Sequence, residues 1–228
     1  MDKEVEFLIE GEYVSLIKRT RVKTILMEDF AKAMQSKGWD TGLLPYGCRM
    51  CGRTPTGTFT WYMVERPPLV TETRIRNDRA YTVSLGFTQF WLGFGADSSM
   101  PSIKRVTTTR TPVRKEGDML YCLPWPNVYA DGRICTGEVK TEGNTPAESC
   151  EDFVRSFFGT TCNNDLTVAW PAALGGAGAG LAGGLTEWER RTRINPLFGL
   201  TKELDYRPLM PLGRMVADTF REGINVSL

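Results

Sequence analysis

Apolar and polar positions change period several times along the chain, and the changes divide it into elements. Glu4 to Ile17 reads as a short strand or two. Ile25, Leu26, Phe30, Ala33 and Met34 then recur at helical spacing, predicting a helix over Lys23 to Ser36 that Gly38 stops. A loop rich in Gly, Pro and Thr follows from Asp40 to Gly57. Beyond it lie three strand candidates: Thr58 to Arg66, Tyr81 to Gly95, and Ile103 to Leu123 with a break near Lys115 to Asp118. β-Branched and aromatic residues dominate them, and Pro67-Pro68, Asn77-Asp78 and Glu116-Gly117-Asp118 mark the turns. This pattern predicts an antiparallel meander.

After the meander comes a proline-rich loop that ends in a glycine turn, and then a helix. Thr145-Pro146-Ala147-Glu148 is a capping box: a hydroxyl for the orphan amides, Pro at the first helical position and Glu three residues after the cap. Cys150, Phe153, Val154, Phe157 and Phe158 form the apolar stripe of that helix. From Trp170 an Ala/Gly-rich stretch leads to a charged helical segment, Thr186 to Ile194, and Pro196, Pro208 and Pro211 interrupt the rest before a last helix near Gly213 to Phe220. The uncharged run Leu166 to Thr186 has the length of a membrane span, but its six glycines and one proline make transfer into lipid unfavourable. Gly176, Gly180 and Gly184 instead have the spacing of close helix contacts. The organisation expected is a strand, helix and loop region over 1–57, a core over 58–170, and a Gly-rich segment with a helical extension over 171–228.

Composition narrows the chemistry. The 228 residues are enough for a substantial core. The 28 Lys and Arg against 27 Asp and Glu give no global attraction for nucleic acid or an anionic membrane, so neither is expected as a partner. Histidine is absent from the sequence, which removes Ser-His triads, Cys-His pairs, histidine bases and histidine-ligated metals. The acidic start MDKEVEFLIEGEYV lacks the basic-then-apolar pattern of an export signal, and six cysteines in an aromatic-rich chain of this size read as reduced thiols, so a cytoplasmic protein is expected.

The segment that carries candidate chemistry is Leu123-Pro124-Trp125-Pro126-Asn127-Val128-Tyr129-Ala130-Asp131-Gly132-Arg133-Ile134-Cys135. It offers a proline-fixed entry, an Asn, an Asp-Gly turn and a Cys eight residues after the Asn. In this it resembles ubiquitin-conjugating enzymes, whose signature is His-Pro-Asn, a short Gly-containing turn and an active-site Cys at that distance. Pro126, Asn127, Gly132, Ile134 and Cys135 are in register, and Trp125 stands at the His position. The preceding meander, the helix opening at Thr145-Pro146 and the loop Asn163-Asn164-Asp165-Leu166 follow the family's order of elements. Leu43-Leu44-Pro45, the Val64 to Pro68 turn and the Trp188 to Phe198 stretch resemble a divergent prokaryotic branch carried by plasmids and phages, including protein B of PRTRC-type gene clusters.

The resemblance implies an α+β fold of the ubiquitin-conjugating type, an antiparallel β-meander backed by helices, with an N-terminal helix and a C-terminal extension. It implies that Cys135 carries a ubiquitin-like protein as a thioester received from an adenylating partner, and passes it to an amine of a target protein. Asn127 would donate to the oxyanion or hold the loop, Asp165 would orient and deprotonate the incoming lysine, and Tyr129 would shape the acceptor channel. No cofactor is implied. Thiol exchange between partners of similar energy needs no strong base, so a histidine-free site suffices. The alternatives remain open beside these roles. Cys135 also fits a small buried hydrophobe, Asp165 an Asx-type turn, and Arg133 a solvated turn charge instead of a thiolate partner. At the level of function the alternative is an inactive adaptor of the same fold within a mobile-element or virion assembly.

Two further features stand outside the motif. Cys48 and Cys51 form a C-x-x-C that fits half a zinc site, a redox pair or plain loop thiols. The run from Lys104-Arg105 to Arg114-Lys115 holds five basic residues and no acidic one, as a solvated hairpin or a dock for an acidic partner would. Gly175 to Gly184 lacks the Lys-Ser/Thr of a phosphate-binding loop.

Overall fold

The computed structural model describes residues 44–54, 56–136, 141, 143–163, 166 and 170–226, together with the backbone of three strands between residues 6 and 26. The chain divides into two units, Met1–Leu43 and Leu44–Leu228. In the first, β1 (Glu6–Glu10), β2 (Tyr13–Lys18) and β3 (Thr20–Leu26) form an antiparallel sheet in that order. The helix expected from Lys23 is therefore corrected over Lys23–Leu26, where Val14 pairs with Ile25 and Ser15 with Thr24. Thr20, Val22, Thr24 and Ile25 are β-branched and stiff at χ1, and the preceding strand supplies a ready partner. The remainder of that expected helix lies outside the described residues.

The second unit is α+β. Its main sheet has six antiparallel strands in the order β12-β10-β9-β8-β5-β4. These are β4 (Cys48–Arg53), β5 (Phe59–Arg66), β8 (Phe87–Gly95), β9 (Ile103–Thr109), β10 (Met119–Cys122) and β12 (Pro208–Pro211). A smaller mixed sheet joins β6 (Leu69–Ile75) and β7 (Ala80–Leu85) in an antiparallel pair, with β11 (Thr161–Cys162) parallel to β6. The expected single strand over Tyr81 to Gly95 is thus two strands in different sheets. They part at Gly86, where an added Cβ would lie 2.5 Å from the Thr109 carbonyl oxygen and 3.0 Å from that of Gly199. The expected loop over Asp40 to Gly57 contains β4. Leu69 to Ile75, rich in β-branched residues, is a further strand absent from the expected meander.

Both faces of the main sheet are covered. Along β5 and β8 the side chains alternate: Tyr62, Val64, Phe90, Leu92 and Phe94 belong to one apolar cluster, and Phe59, Trp61, Met63 and Trp91 to another. Seven successive residues of β8 are buried, as a strand packed on both faces requires. The first cluster is closed by α1 (Pro146–Gly159) and α2 (Leu181–Ile194), the second by α3 (Leu212–Val226).

Helix α1 has the predicted capping box. The Glu148 amide donates to the Thr145 hydroxyl at 3.3 Å, and the Thr145 amide donates to the Glu148 carboxylate at 3.2 Å. Its buried face is Ser149, Cys150, Phe153, Val154 and Phe157, with Phe158 packed at the margin. Helix α2 is tied to β7 through Ser84. The Ser84 amide donates to the Thr192 hydroxyl at 2.9 Å, and the Trp188 indole donates to the Ser84 carbonyl at 3.0 Å. The Ala/Gly-rich stretch before α2 makes two short 3-10 turns, Ala172–Leu174 and Gly176–Gly178. Among the described residues no helix is long and apolar enough to cross a membrane.

Candidate functional site

The segment from Trp125 to Cys135 folds as a tight loop along the sheet. Its entry is fixed by Trp125, which is 1% exposed and stacks on Phe157 with the edges of Phe158 and Trp188 against it. The Val128 amide donates to the Trp125 carbonyl at 3.0 Å. At the tip, the Gly132 amide donates to the Tyr129 carbonyl at 2.9 Å and the Tyr129 amide to the Arg133 carbonyl at 2.8 Å. Gly132 has φ of 83°, the left-handed region that an Asp-Gly turn supplies. The Asp131 carboxylate accepts from the Arg133 amide and side chain, holding the turn from outside.

The returning arm pairs on two sides. The Cys135 amide donates to the Asn127 carbonyl at 2.8 Å, and Val128 bridges Ile134. On the sheet side, the Val106 amide donates to the Gly132 carbonyl and the Ile134 amide to the Lys104 carbonyl, so the arm continues the edge of β9 past the end of β10. Val128 and Ile134 point into the core, while Tyr129 is 40% exposed and Cys135 half-buried. The Tyr129 side chain neighbours that of Cys135, and this interaction raises the tyrosine above its ordinary pKa. The Arg133 guanidinium lies over the Tyr129 ring at 5.5 Å.

The structure therefore brings Asn127, Tyr129 and Cys135 together. Asn127 meets Cys135 through its backbone. Its side chain is 7% exposed, and its amide oxygen is buried with no hydrogen-bond partner among the described residues. Asp165 lies outside the described residues. Beside the loop runs a groove of about 420 Å³, lined by Ser102 to Arg105 of the β9 arm, by Tyr129, Arg133, Ile134 and Thr136, and by Glu222 of α3.

The basic run is not one solvated hairpin. Lys104 lines the groove, whereas Arg105 is buried beneath α3 and paired with Glu222. Arg110 donates to the Thr201 and Leu204 carbonyls. Arg114 and Lys115 sit in an exposed turn closed by the Asp118 carboxylate. Sequence reasoning missed Glu222 as a groove residue, because nothing local marks a glutamate in the last helix as a neighbour of the Asn-to-Cys loop.

Cys48 and Cys51 are on a strand instead of in a loop. A bulge at Arg49 lets Cys48 pair with Val64 and Cys51 with Tyr62, two residues that face the same cluster. The bulge thereby turns a three-residue spacing into positions on one face, toward Cys150 of α1. Burial, then the neighbouring Cys51, pushes Cys48 up to about 11, and burial pushes Cys150 up further. These thiols are protonated at neutral pH, which sets them apart from a reactive pair. Among the described residues no three Cys, Asp or Glu side chains are placed to share a metal ion.

No protein-family model matches this chain, and neither a curated protein nor a solved structure matches it.

Proposed function

We propose that the second unit is a conjugating enzyme of the ubiquitin-conjugating type that carries a ubiquitin-like protein on Cys135. The observation that carries the reading is the closed loop from Asn127 to Cys135. It buries Trp125, Val128 and Ile134 while leaving Cys135 half-buried, next to Tyr129 and beside an open groove. The order of β5, β8, β9 and β10, then the loop, then α1, supports the same reading.

In the first step the Cys135 thiolate attacks the thioester carbonyl on an activating partner. A new C–S bond forms, the old one breaks and the partner's thiolate leaves; ATP is consumed earlier, by that adenylating partner. In the second step a neutral amine of the target protein attacks, a C–N bond forms and Cys135 leaves as thiolate. The amine's extra proton passes to a carboxylate or to solvent, and Asp165 is the proposed carboxylate. Asn127 is the proposed amide donor to the tetrahedral oxyanion, a role whose loss typically costs about 3 kcal/mol of activation free energy.

The test is transthiolation from a synthetic peptide thioester ending in glycine. The expected product is an adduct on Cys135 that thiol reductant removes, that Cys135→Ala abolishes, and that free lysine drains faster than it drains a cysteine thioester in solution. An adduct formed equally by Cys135→Ala, or one drained no faster than the solution thioester, overturns the proposal. A second reading, a non-catalytic adaptor of the same fold, is favoured by one observation: the Asn127 side chain is buried, with its amide oxygen unpartnered among the described residues. Failure of lysine to drain the adduct is the outcome it expects.

A further inference from the structure

Among the described residues, the groove between the Cys135 loop and α3 carries more positive than negative charge: Lys104, Arg105 and Arg133 line it against one carboxylate, Glu222. Glu222 is already bound to Arg105, and Arg133 pairs with Asp131 at 2.7 Å on the outer side of the loop. Lys104 is partly buried and has no ion-pair partner among the described residues; withdrawal from water is the cause that lowers its pKa. An ammonium held partly out of water without a counter-ion is unfavourable, and a bound anion would reverse that cost.

Arg105 supplies an independent observation. It is more than nine-tenths buried, and its guanidinium meets Glu222 through one terminal nitrogen and the Met215 sulfur through the other. Its Nε is buried with no partner among the described residues. Among the described residues the arginine is thus incompletely satisfied, and its one ion-pair partner there, the Glu222 carboxylate, shows which chemistry fits the groove.

We propose that this groove is the docking site for an acidic segment of the target protein, with Lys104 as the principal carboxylate ligand and Glu222 as the carboxylate that the segment displaces or joins at Arg105. Assignment to the target rests on the reading of Cys135 given above. The physical reason is that an amine must be neutral to attack a thioester. A cationic wall favours loss of the amine's proton but repels its charged form on approach. Carboxylates flanking the amine offset the repulsion and let the wall work on the amine once it is docked.

The test is fluorescence anisotropy with two fluorescein-labelled peptides, one with lysine followed by two glutamates and one with two glutamines in their place. The full chain should bind the acidic peptide roughly tenfold more tightly, as for one partly desolvated ion pair. Lys104→Met should remove most of that preference. Arg133→Gln, on an exposed side chain, should reduce it without touching the core, and Glu222→Gln should strengthen binding of the acidic peptide. Equal binding of the two peptides overturns the inference, as does a preference that persists unchanged in Lys104→Met and Arg133→Gln. Cys135→Ala should keep the preference intact, so the docking site can stand or fall separately from thioester chemistry.

Discussion

Trp125 lies nearly face-on to Phe157, with ring centroids 5.8 Å apart and planes 27° from parallel, so the loop bearing Asn127 and Cys135 is pinned to the last turn of α1. The indole is wholly inside the first cluster, and its contribution is packing. Trp125→Ala should lower unfolding free energy by about 3–5 kcal/mol, the usual range for a large aromatic removed from a core. Chemical denaturation with an unchanged slope and a lower midpoint would show this. A loss under about 1 kcal/mol would mean that the indole does not pack as described.

The six cysteines should separate by reactivity. Burial raises the pKa of Cys122 and Cys150 and pushes Cys48 and Cys162 up to about 11, and Cys135 alone among them lies on the outward side of the Asn-to-Cys loop. Brief iodoacetamide treatment at pH 8 followed by peptide mass spectrometry should find Cys135 modified well before Cys150 and Cys162, which should react only on unfolding. Uniform labelling of all six in the native protein would contradict the described burial.

Two adjacent glycines in α2 should respond to alanine with opposite signs. A Cβ on Gly183 meets nothing within 4 Å, so Gly183→Ala should stabilise by about 0.5–1 kcal/mol through helix propensity. A Cβ on Gly184 would overlap the Trp170 ring, so Gly184→Ala should destabilise by about 1–3 kcal/mol. Thermal melts of the two variants decide the matter; the same sign for both would be inconsistent with the Trp170 contact.

Acid should weaken α2 through Glu187. Hydrogen bonds from Arg190, then Arg191, hold this carboxyl down at about 2. A depressed acid stabilises the fold fully above its unfolded pKa near 4.5 and loses that contribution as pH falls toward about 2. Glu187→Gln should therefore melt below the parent at pH 6, by ~0.5–1 kcal/mol for a partly exposed network. The gap should narrow from pH 4.5 downward and close near pH 2. A gap that does not change with pH would assign the effect to packing instead of charge.

The capping box at Thr145 was legible because all its partners lie within four residues. The Asp131-Gly132 turn was legible for the same reason. What escaped was decided by partners distant in sequence. Cys48 to Arg53 has no β-branched residue, and its strand conformation depends on pairing with β5 across a bulge. Ile25 and Leu26 fit a helical period and a strand equally, and β2 decided between them. Tyr81 to Gly95 carries the composition of one strand, yet the close approach of Gly86 to Gly199 splits it between sheets. At the site, the spacing of Asn127 and Cys135 foretold their backbone pairing. The burial of Arg105 and the far wall of the groove come from α3, for which no local pattern near the loop gives a sign.

The placement of α3 also has a consequence for biosynthesis. Helices α1 and α2 follow the central strands closely and can close one face of the sheet as they leave the ribosome. The opposite face, with Phe59, Trp61 and Trp91, is closed by Leu212, Met215 and Phe220, and β10 gains its outer neighbour only at Pro208–Pro211. A nascent chain that has emerged as far as Tyr206 thus holds one finished face and one bare aromatic face. During that interval it is a natural client for chaperones and a candidate for aggregation, whatever the stability of the completed fold.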